Sequence, residues 1–472
     1  MDQNQSFPGD SGGHLMVSIS GIRGVVGESL TPPAIEGFAR AFGFWAAEEA
    51  ALRGRPATIV IGRDSRPTGA MVCAAASAGL MAAGCEVIDI GLAPTPTIML
   101  RVETLGAAGA LAITASHNPA QWNALKLIGP RGMFLLPREA SDVLHRHRVG
   151  GRFAPWNGVG GYRCDSGAIE DHIERILALD RVDVEGVKAA APKVVLDCGR
   201  GAGGVLSPEL LARLGCEVVG LDLEPDGHFT RNPEPIPENL DGLCRKVREV
   251  GADIGLAHDA DVDRLAIVTD EGVAVGEECT LALAVRHVLE LGGEGPVVTN
   301  LSTSSMAEQI ARDHGVGTER TPVGEIHVAE ALRASRGSIG GEGNGGVILS
   351  ELHYTRDAPL AAALVLSLMA RTGEKISALV DSLPRRPMVK RAFPLGGAPP
   401  VDLADRLAHV LPGAKVDTVD GVRLTTDEAW VHVRASNTEP ILRVIGEAGA
   451  QVEELVRKAA RAAGATLIAN RE

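Results

Sequence analysis

Aromatic side chains are scarce in this sequence: 4 Trp, 2 Tyr and 8 Phe among 472 residues, 3% of the chain. An interior without them has to be built from Ala, Val, Leu and Ile packed closely by 57 glycines. Positive charge is also in short supply. With 46 Lys and Arg against 60 Asp and Glu the formal net charge is -14, which repels polyanions, and neither a basic run nor interleaved aromatics offsets it. Nucleic acid and anionic membrane are therefore poor partners. Paired cysteines are missing as well. The seven (Cys73, Cys85, Cys164, Cys198, Cys216, Cys244 and Cys279) are odd in number, scattered and without a C-x-x-C. They read as reduced core thiols of a cytoplasmic protein, and a structural zinc site is not expected. The opening "MDQNQSFPGDSGGH" lacks both a basic n-region and an apolar h-region. It reads as a disordered tail over residues 1–16, neither a signal peptide nor an anchor.

What is present is an ordinary α/β composition, 45% hydrophobic and 22% charged, in a chain too long for one hydrophobic core. A β-branched run, a loop of Gly, Asp, Arg or Ser, and a helix rich in Ala and Leu recur in "ATIVIGRDSRPTGAMVCAAASAGLMAAG", "KVVLDCGRGAGGVLSPELLARLG" and "PVVTNLSTSSMAEQIARDHG". Strands alternating with helices imply parallel βαβ units. The spacing predicts three related α/β mixed-sheet domains, at 17–165, 166–268 and 269–386. A C-terminal α+β domain at 387–472 follows, from the strands "EAWVHVRAS" and "ILRVIGEA" and the helix "QVEELVRKAARAAG".

Five stretches carry chemistry. "HDADVDR" sets Asp259, Asp261 and Asp263 two residues apart, on one face of a strand or circling one cation in a loop. Clustered like charges are costly without a cation, and an all-oxygen set suits Mg²⁺. A calcium EF-hand is ruled out because Arg264 stands where the turn wants glycine and "LAIVTD" is a strand. "DCGRGAGG" places Gly199, Gly201 and Gly204 in G-x-G-x-x-G order with Asp222 further on, a dinucleotide pattern whose alternative is close packing. "RASNTEPILR" offers Arg434, Ser436, Asn437, Thr438 and Arg443 around a turn, the donors that capture a phosphate monoester. "GGEGNGGV" holds Glu342 and Asn344 out on bare backbone, able to press against a polyhydroxyl ligand or to act as a plain glycine linker. In "ITASHNP", Ser116 and His117 sit at a strand's C-terminal end, where open α/β sheets put chemistry. Adjacent side chains rarely face one another, so a hydrolase dyad within the pair is not expected, and an Asn-Pro turn with a capping serine is the plain alternative.

Four of these sites, in this order, resemble the α-D-phosphohexomutase superfamily: "TASHNP" as phosphoserine loop, "DADVDR" as metal loop, "GEGNGG" as sugar loop and "RASNTEP" as phosphate loop. "GIRG", "GRDSR", "NALK", "PDGHF" and "TPVGE" agree. The resemblance implies four domains around a central cleft. Ser116 would carry the phosphoryl group, and one Mg²⁺ would be held by Asp259, Asp261, Asp263 and an oxygen of phosphorylated Ser116. Arg23, His117, Lys126 and Arg264 would stand near the serine, Lys126 as a general base whose pKa is lowered by cationic neighbours. Glu342 and Asn344 would grip the sugar, and Arg434, Ser436, Asn437, Thr438 and Arg443 its phosphate. The implied reaction interconverts hexose 6-phosphate and hexose 1-phosphate through a hexose bisphosphate, which also serves as activator. The partner would be a small phosphosugar, and the enzyme a monomer or homodimer.

The sequence departs from that pattern in places. Gly346 stands where the common sugar loop has histidine, with His353 as the candidate replacement; Asn344 stands for serine, Asn437 for glycine, and Ala260 for a metal-loop glycine. The loops look most like those of phosphoglucosamine mutases, with phosphomannomutase and phosphoglucomutase as alternatives. A Mg-dependent sugar phosphatase or phosphosugar-binding protein could use the same phosphate loop and cation. An NAD-dependent enzyme on the glycine loop is the third reading.

Overall fold

The computed structural model describes residues 15–18, 21–150, 152–394, 402–435 and 441–465. Most of the expected tail lies outside these residues, and Met16 at its end is already in a strand, Met16–Ser18.

The first sheet has seven strands, in spatial order Met16–Ser18, Gly21–Val25, Trp122–Ile128, Gly109–Ile113, Thr58–Arg63, Glu86–Leu92 and Tyr162–Cys164. The run "TIVIGR" is apolar on both faces because both are covered. Ile59 and Ile61 pack with Phe38 and Phe42 of helix Pro32–Leu52, while Val60 between them packs with Ile98 and Met99 of helix Thr95–Leu105. The second sheet runs Leu265–Thr269, Ile254–His258, Lys193–Asp197, Glu217–Leu221, and the third Thr318–Thr321, Val297–Asn300, Ile339–Glu342, Gly346–Leu349. These two do not keep separate interiors. One apolar cluster runs from Val194 and Ile254 through helix Glu278–Glu290 to Ile339, Leu349 and helix Ala358–Thr372. The last sheet, Met388–Pro394, Ile441–Glu447, Trp430–Ala435, Val422–Thr425, Lys415–Asp417, is wholly antiparallel. Helices Leu403–Leu407 and Val452–Ala462 cover one of its faces.

One device repeats in the first three sheets. A strand parallel to its neighbour turns back through a hairpin into an antiparallel partner: Gly109–Ile113 into Trp122–Ile128, Ile254–His258 into Leu265–Thr269, Ile339–Glu342 into Gly346–Leu349. Each connection carries one of the motif loops. In the fourth sheet Trp430–Ala435 and Ile441–Glu447 are likewise antiparallel neighbours. No helix among the described residues is long and apolar enough to cross a membrane. The described cysteines are all unbonded, and Cys164 is exposed rather than in the core.

Candidate active site

The serine loop is braced from below by one arginine. Arg66, 1% exposed, pairs with Asp64 at 3.0 Å and donates to four backbone carbonyls: Ser116 (2.6 Å), Asn118 (2.7 Å), Pro119 (2.6 Å) and Trp122 (3.0 Å). Asp64 in turn accepts from Thr114 Oγ1 at 2.7 Å, and Thr114 Oγ1 accepts from the Ser116 N–H at 2.9 Å. Held this way, Ser116 takes a left-handed backbone, φ 49°, a conformation a non-glycine residue keeps only where its surroundings impose it. Its hydroxyl lies 3.1 Å from Asp259 Oδ2 and 3.4 Å from His117 Nδ1.

The metal loop is braced so that each carboxylate has one oxygen committed. Asp259 Oδ1 accepts from the backbone N–H of Asp263 (3.1 Å) and Arg264 (3.2 Å). Asp261 Oδ2 accepts from Lys126 Nζ (2.7 Å) and Thr95 Oγ1 (2.8 Å). Asp263 Oδ2 accepts from Arg356 at 2.5 Å. Asp261 Oδ1 and Asp263 Oδ1 are buried without a hydrogen-bond partner, Asp259 Oδ2 accepts from the serine hydroxyl, and Arg264 Nε stands 3.9 Å from Asp259 Oδ2 and 3.6 Å from Asp263 Oδ1. The three carboxylates offer ligand atoms within 4.8 Å of one another, and none is more than 1% exposed. Burial, with Asp263 and Asp261 alongside, pushes the Asp259 carboxyl well above its ordinary pKa. Orphaned oxygens converging on a neighbouring hydroxyl fit a hard divalent cation, which relieves that repulsion.

Ala260 costs this loop nothing: the left-handed residue is Val262, φ 68°. The glycines of "DCGRGAGG" serve close packing. A Cβ on Gly201 would stand 2.9 Å from the Ala260 backbone, and one on Gly204 1.8 Å from the Leu223 carbonyl oxygen. The Ala202 N–H also donates to the Ala260 carbonyl at 2.8 Å. Gly201 lets its loop pack against the metal loop, and Gly204 lets it pack against Leu223.

Lys126 departs from expectation. Burial disfavours its charge, but the Asp261 and Asp263 carboxylates and the bond to Asp261 outweigh it, and the amine's pKa is raised. It pairs with Asp261 as an ammonium at 2.7 Å. His117 lies the other way: burial, then Arg264 and Arg23, lower its pKa to about 2, so it is neutral. Arg23 donates to Asn118 Oδ1 at 2.6 Å.

The sugar loop is also preorganised. Glu342 Oε1 accepts from Asn300 Nδ2 (2.7 Å) and the Gly324 N–H (3.2 Å); Oε2 accepts from Arg356 (2.7 Å) and Asn344 Nδ2 (3.3 Å). His353 does not replace the absent histidine. Buried at 1% exposure, its Nε2 lies 2.9 Å from Asp357 Oδ2, which also meets His172 Nε2 at 2.8 Å, while Asp357 Oδ1 caps helix Ala358–Thr372 through the Leu360 N–H. This cluster joins helices, away from the cleft. The space beside Gly346 belongs to Arg356, whose Cδ lies 2.1 Å from where a Cβ would stand.

A cleft of about 430 Å³ is lined by Arg23, His117, Arg264, Glu342, Asn344, Arg434 and Arg443, so the structure gathers residues from all four motif loops. Ser116, Lys126 and the three aspartates are buried beside it. Ser436, Asn437 and Thr438 lie outside the described residues. Arg66, Thr95, Asn300 and Arg356 were not singled out as site residues in the sequence. Only "GRDSR", which resembles the family, pointed toward Arg66.

Models of the phosphoglucomutase/phosphomannomutase family match the chain in four successive pieces: α/β/α domain I at residues 15–147, domain II at 170–272, domain III at 277–386 and the C-terminal domain at 388–463. A phosphoglucomutase/phosphomannomutase of Thermococcus kodakarensis is 40% identical over 443 residues, 91% of this chain and 93% of that protein. A probable phosphoglucosamine mutase of Methanopyrus kandleri is 38% identical over 446 residues, 93% and 94% of the two chains. Among solved structures, a phosphoglucomutase/phosphomannomutase family protein of Burkholderia thailandensis superposes with a TM-score of 0.81 at 28% identity, covering 96% of this chain and 99% of that one. The hairpin-borne loops and the four matched domains together place this chain in the phosphoglucomutase/phosphomannomutase family of phosphohexomutases.

Proposed function

We propose that the chain interconverts hexose 6-phosphates and hexose 1-phosphates by way of phosphorylated Ser116 and a hexose bisphosphate, with glucosamine phosphate as the preferred sugar. The observation that carries the reading is the pairing of the Ser116 hydroxyl with Asp259 Oδ2 at 3.1 Å, beside two unpartnered carboxylate oxygens.

Asp259, Asp261 and Asp263, with an oxygen of the serine phosphate, would hold one Mg²⁺. When bound, it neutralises charge on the transferring group, which is where catalysis of phosphoryl transfer mainly lies. The chain's own residues do the rest. Arg66 holds the serine toward the aspartates. A free sugar hydroxyl attacks the serine phosphate: the bond from phosphorus to Ser116 Oγ breaks, the bond to the sugar oxygen forms, and the proton the hydroxyl loses is regained at Oγ. Neutral His117, 3.4 Å from Oγ, is placed to relay it, while Lys126 keeps Asp261 in position. The bisphosphate turns over, and its other phosphate returns to Ser116. Glu342 and Asn344 can hold the ring in both orientations because hydroxyls at adjacent carbons are nearly interchangeable under that flip. Arg434, Ser436, Asn437, Thr438 and Arg443 dock the phosphate that is not reacting.

The reading includes a cytoplasmic enzyme, monomer or homodimer, with domain boundaries near 165, 268 and 386 and no nucleic-acid partner; the net charge of -14 supports the last point. Its test is a panel of glucosamine, glucose and mannose 6- and 1-phosphates with Mg²⁺ and a hexose bisphosphate, alongside intact-mass analysis. The expected result is isomer formation, fastest for glucosamine phosphate, and a fraction of chains one phosphate heavier at Ser116. Release of inorganic phosphate from every sugar without isomerisation would overturn the mutase reading in favour of a phosphatase.

A further inference from the structure

Gly346 and Arg356 are one feature seen from two sides. A Cβ at residue 346 would stand 2.1 Å from Arg356 Cδ and 2.8 Å from its Cγ, so the aliphatic stem runs through the volume that any side chain at 346 would need. That route delivers the guanidinium to three carboxylates at once. Nε meets Glu325 Oε2 at 3.0 Å, one terminal nitrogen meets Glu342 Oε2 at 2.7 Å, and the other meets Asp263 Oδ2 at 2.5 Å. All four side chains are nine-tenths or more buried. Glu325 fixes the arm further by accepting from the Arg356 N–H at 3.0 Å and from the Thr355 hydroxyl. The two loops also touch through backbone, Leu265 N–H to the Gly345 carbonyl at 3.0 Å and Ala358 N–H to the Val262 carbonyl at 3.2 Å.

We propose that Arg356 is a positioning residue that couples the sugar loop to the metal loop, so that occupation of Glu342 by a sugar phosphate and occupation of the aspartates by a divalent cation strengthen each other. Arg356 takes the outer oxygen of Asp263 and leaves Oδ1 for the cation. The same planar group takes one oxygen of Glu342. A guanidinium has a fixed fork, so a shift at one carboxylate is a shift at the other. Three carboxylates share the Arg356 guanidinium, with Arg264 Nε 3.6 Å from Asp263 Oδ1, and a charge added at the metal loop changes how tightly Arg356 is drawn to each. A lysine has the charge without the fork and cannot serve all three.

The inference rests on the sugar-phosphate reading of the cleft but is tested by binding alone. Mg²⁺ is titrated calorimetrically into the dephosphorylated full chain with and without saturating glucosamine 6-phosphate, and the sugar phosphate is titrated with and without Mg²⁺. The proposal expects each ligand to raise the other's affinity by the same factor, about 5-fold or more. In Arg356→Lys and in Gly346→Ala, which displaces the arm while keeping its charge, that factor falls toward one and Mg²⁺ affinity drops by about 10-fold. Thermal unfolding confirms that both variants are folded, and Gly346→Ala keeps the test open if the lysine variant is not. Coupling absent in the native chain, or unchanged in folded variants, overturns the proposal. If glucosamine 6-phosphate does not bind, the Mg²⁺ titrations decide alone, and unchanged affinity in both variants sinks it. Coupled binding without isomer formation would instead leave Arg356's role standing and remove the mutase reading.

Discussion

The serine and metal loops on one side of the cleft and the C-terminal sheet on the other are held by different means. On the first side the attachments are buried and charged: Arg66 under the serine loop, Lys126 and Thr95 on Asp261, Arg356 on Asp263. The second and third sheets there share one apolar core. The C-terminal sheet keeps its apolar core to residues 389–465 and meets the rest through scattered polar contacts. Lys390 Nζ donates to the Gly343 carbonyl at 2.8 Å, Ser302 Oγ meets His432 Nδ1 at 2.9 Å, and Val323 N–H donates to Asp420 Oδ2 at 2.9 Å. Others are buried or charged: Arg423 donates to the Leu301 carbonyl, buried Glu447 accepts from the Ser305 N–H at 2.9 Å, and Lys390 pairs with Glu277 and Glu278 at 3.0 Å. The groups assigned to chemistry are thus held by ion pairs centred on the carboxylates themselves, whereas the face assigned to the second phosphate is joined by polar contacts without a shared apolar cluster among the described residues.

The largest effect should come from the centre of the first side. Ser116→Ala should lower turnover of the hexose phosphate panel by at least about 1000-fold and remove the phosphorylated species from the mass spectrum; residual phosphate on the chain would place the carrier elsewhere. Next, Arg66→Met should cost about 3–5 kcal/mol in denaturant unfolding, because it strands a buried Asp64 and frees four carbonyls, and kcat should fall with it. A loss below about 1 kcal/mol would mean that the serine loop holds itself.

In the C-terminal sheet, burial lowers the His432 pKa from 6.5 to about 4 even though the Asp420 carbonyl bond opposes this. The unfolded chain therefore binds a proton that the folded chain refuses as pH falls from 6.5 to 4. Stability contributed by neutral His432 is complete above pH 6.5 and shrinks through that window by about 2–3 kcal/mol. Unfolding of the native chain and of His432→Gln at pH 7 and pH 4.5 should show a smaller pH effect in the variant. The smallest change is expected from Lys390→Ala, about 1 kcal/mol, appearing as a several-fold rise in KM with kcat nearly kept. Should Lys390→Ala cost as much as Arg66→Met, the contrast between the two sides is gone.

The sequence was most informative where chemistry demands a residue type at a spacing. Three aspartates two apart, a serine after a buried strand, and a carboxylate on bare glycine backbone all stand in hairpin connections facing one cleft. What it did not show were the partners brought in from afar. Arg66 reaches Ser116 across 50 residues, and Arg356 reaches Asp263 across 93; no spacing rule predicts either. The missing side chain at Gly346 was visible as a gap, but only the fold shows that an arginine stem fills it rather than His353. The direction of the Lys126 pKa was hidden for a similar reason. Its cationic neighbours were inferred, while the carboxylate that governs it, Asp261, arrives from another sheet. The shared core of the second and third sheets was equally invisible, since strand and helix patterns specify units and not which units fuse.

The left-handed backbone at Ser116 sets a limit on what could ever take its place. A threonine would offer the same hydroxyl and the same capacity to bear a phosphate, yet a β-branched residue is a poor tenant of φ near +50°. Selection for a carrier here therefore acts on the shape of the main chain as strictly as on the oxygen, and the loop admits few residue types that could accept phosphate at all.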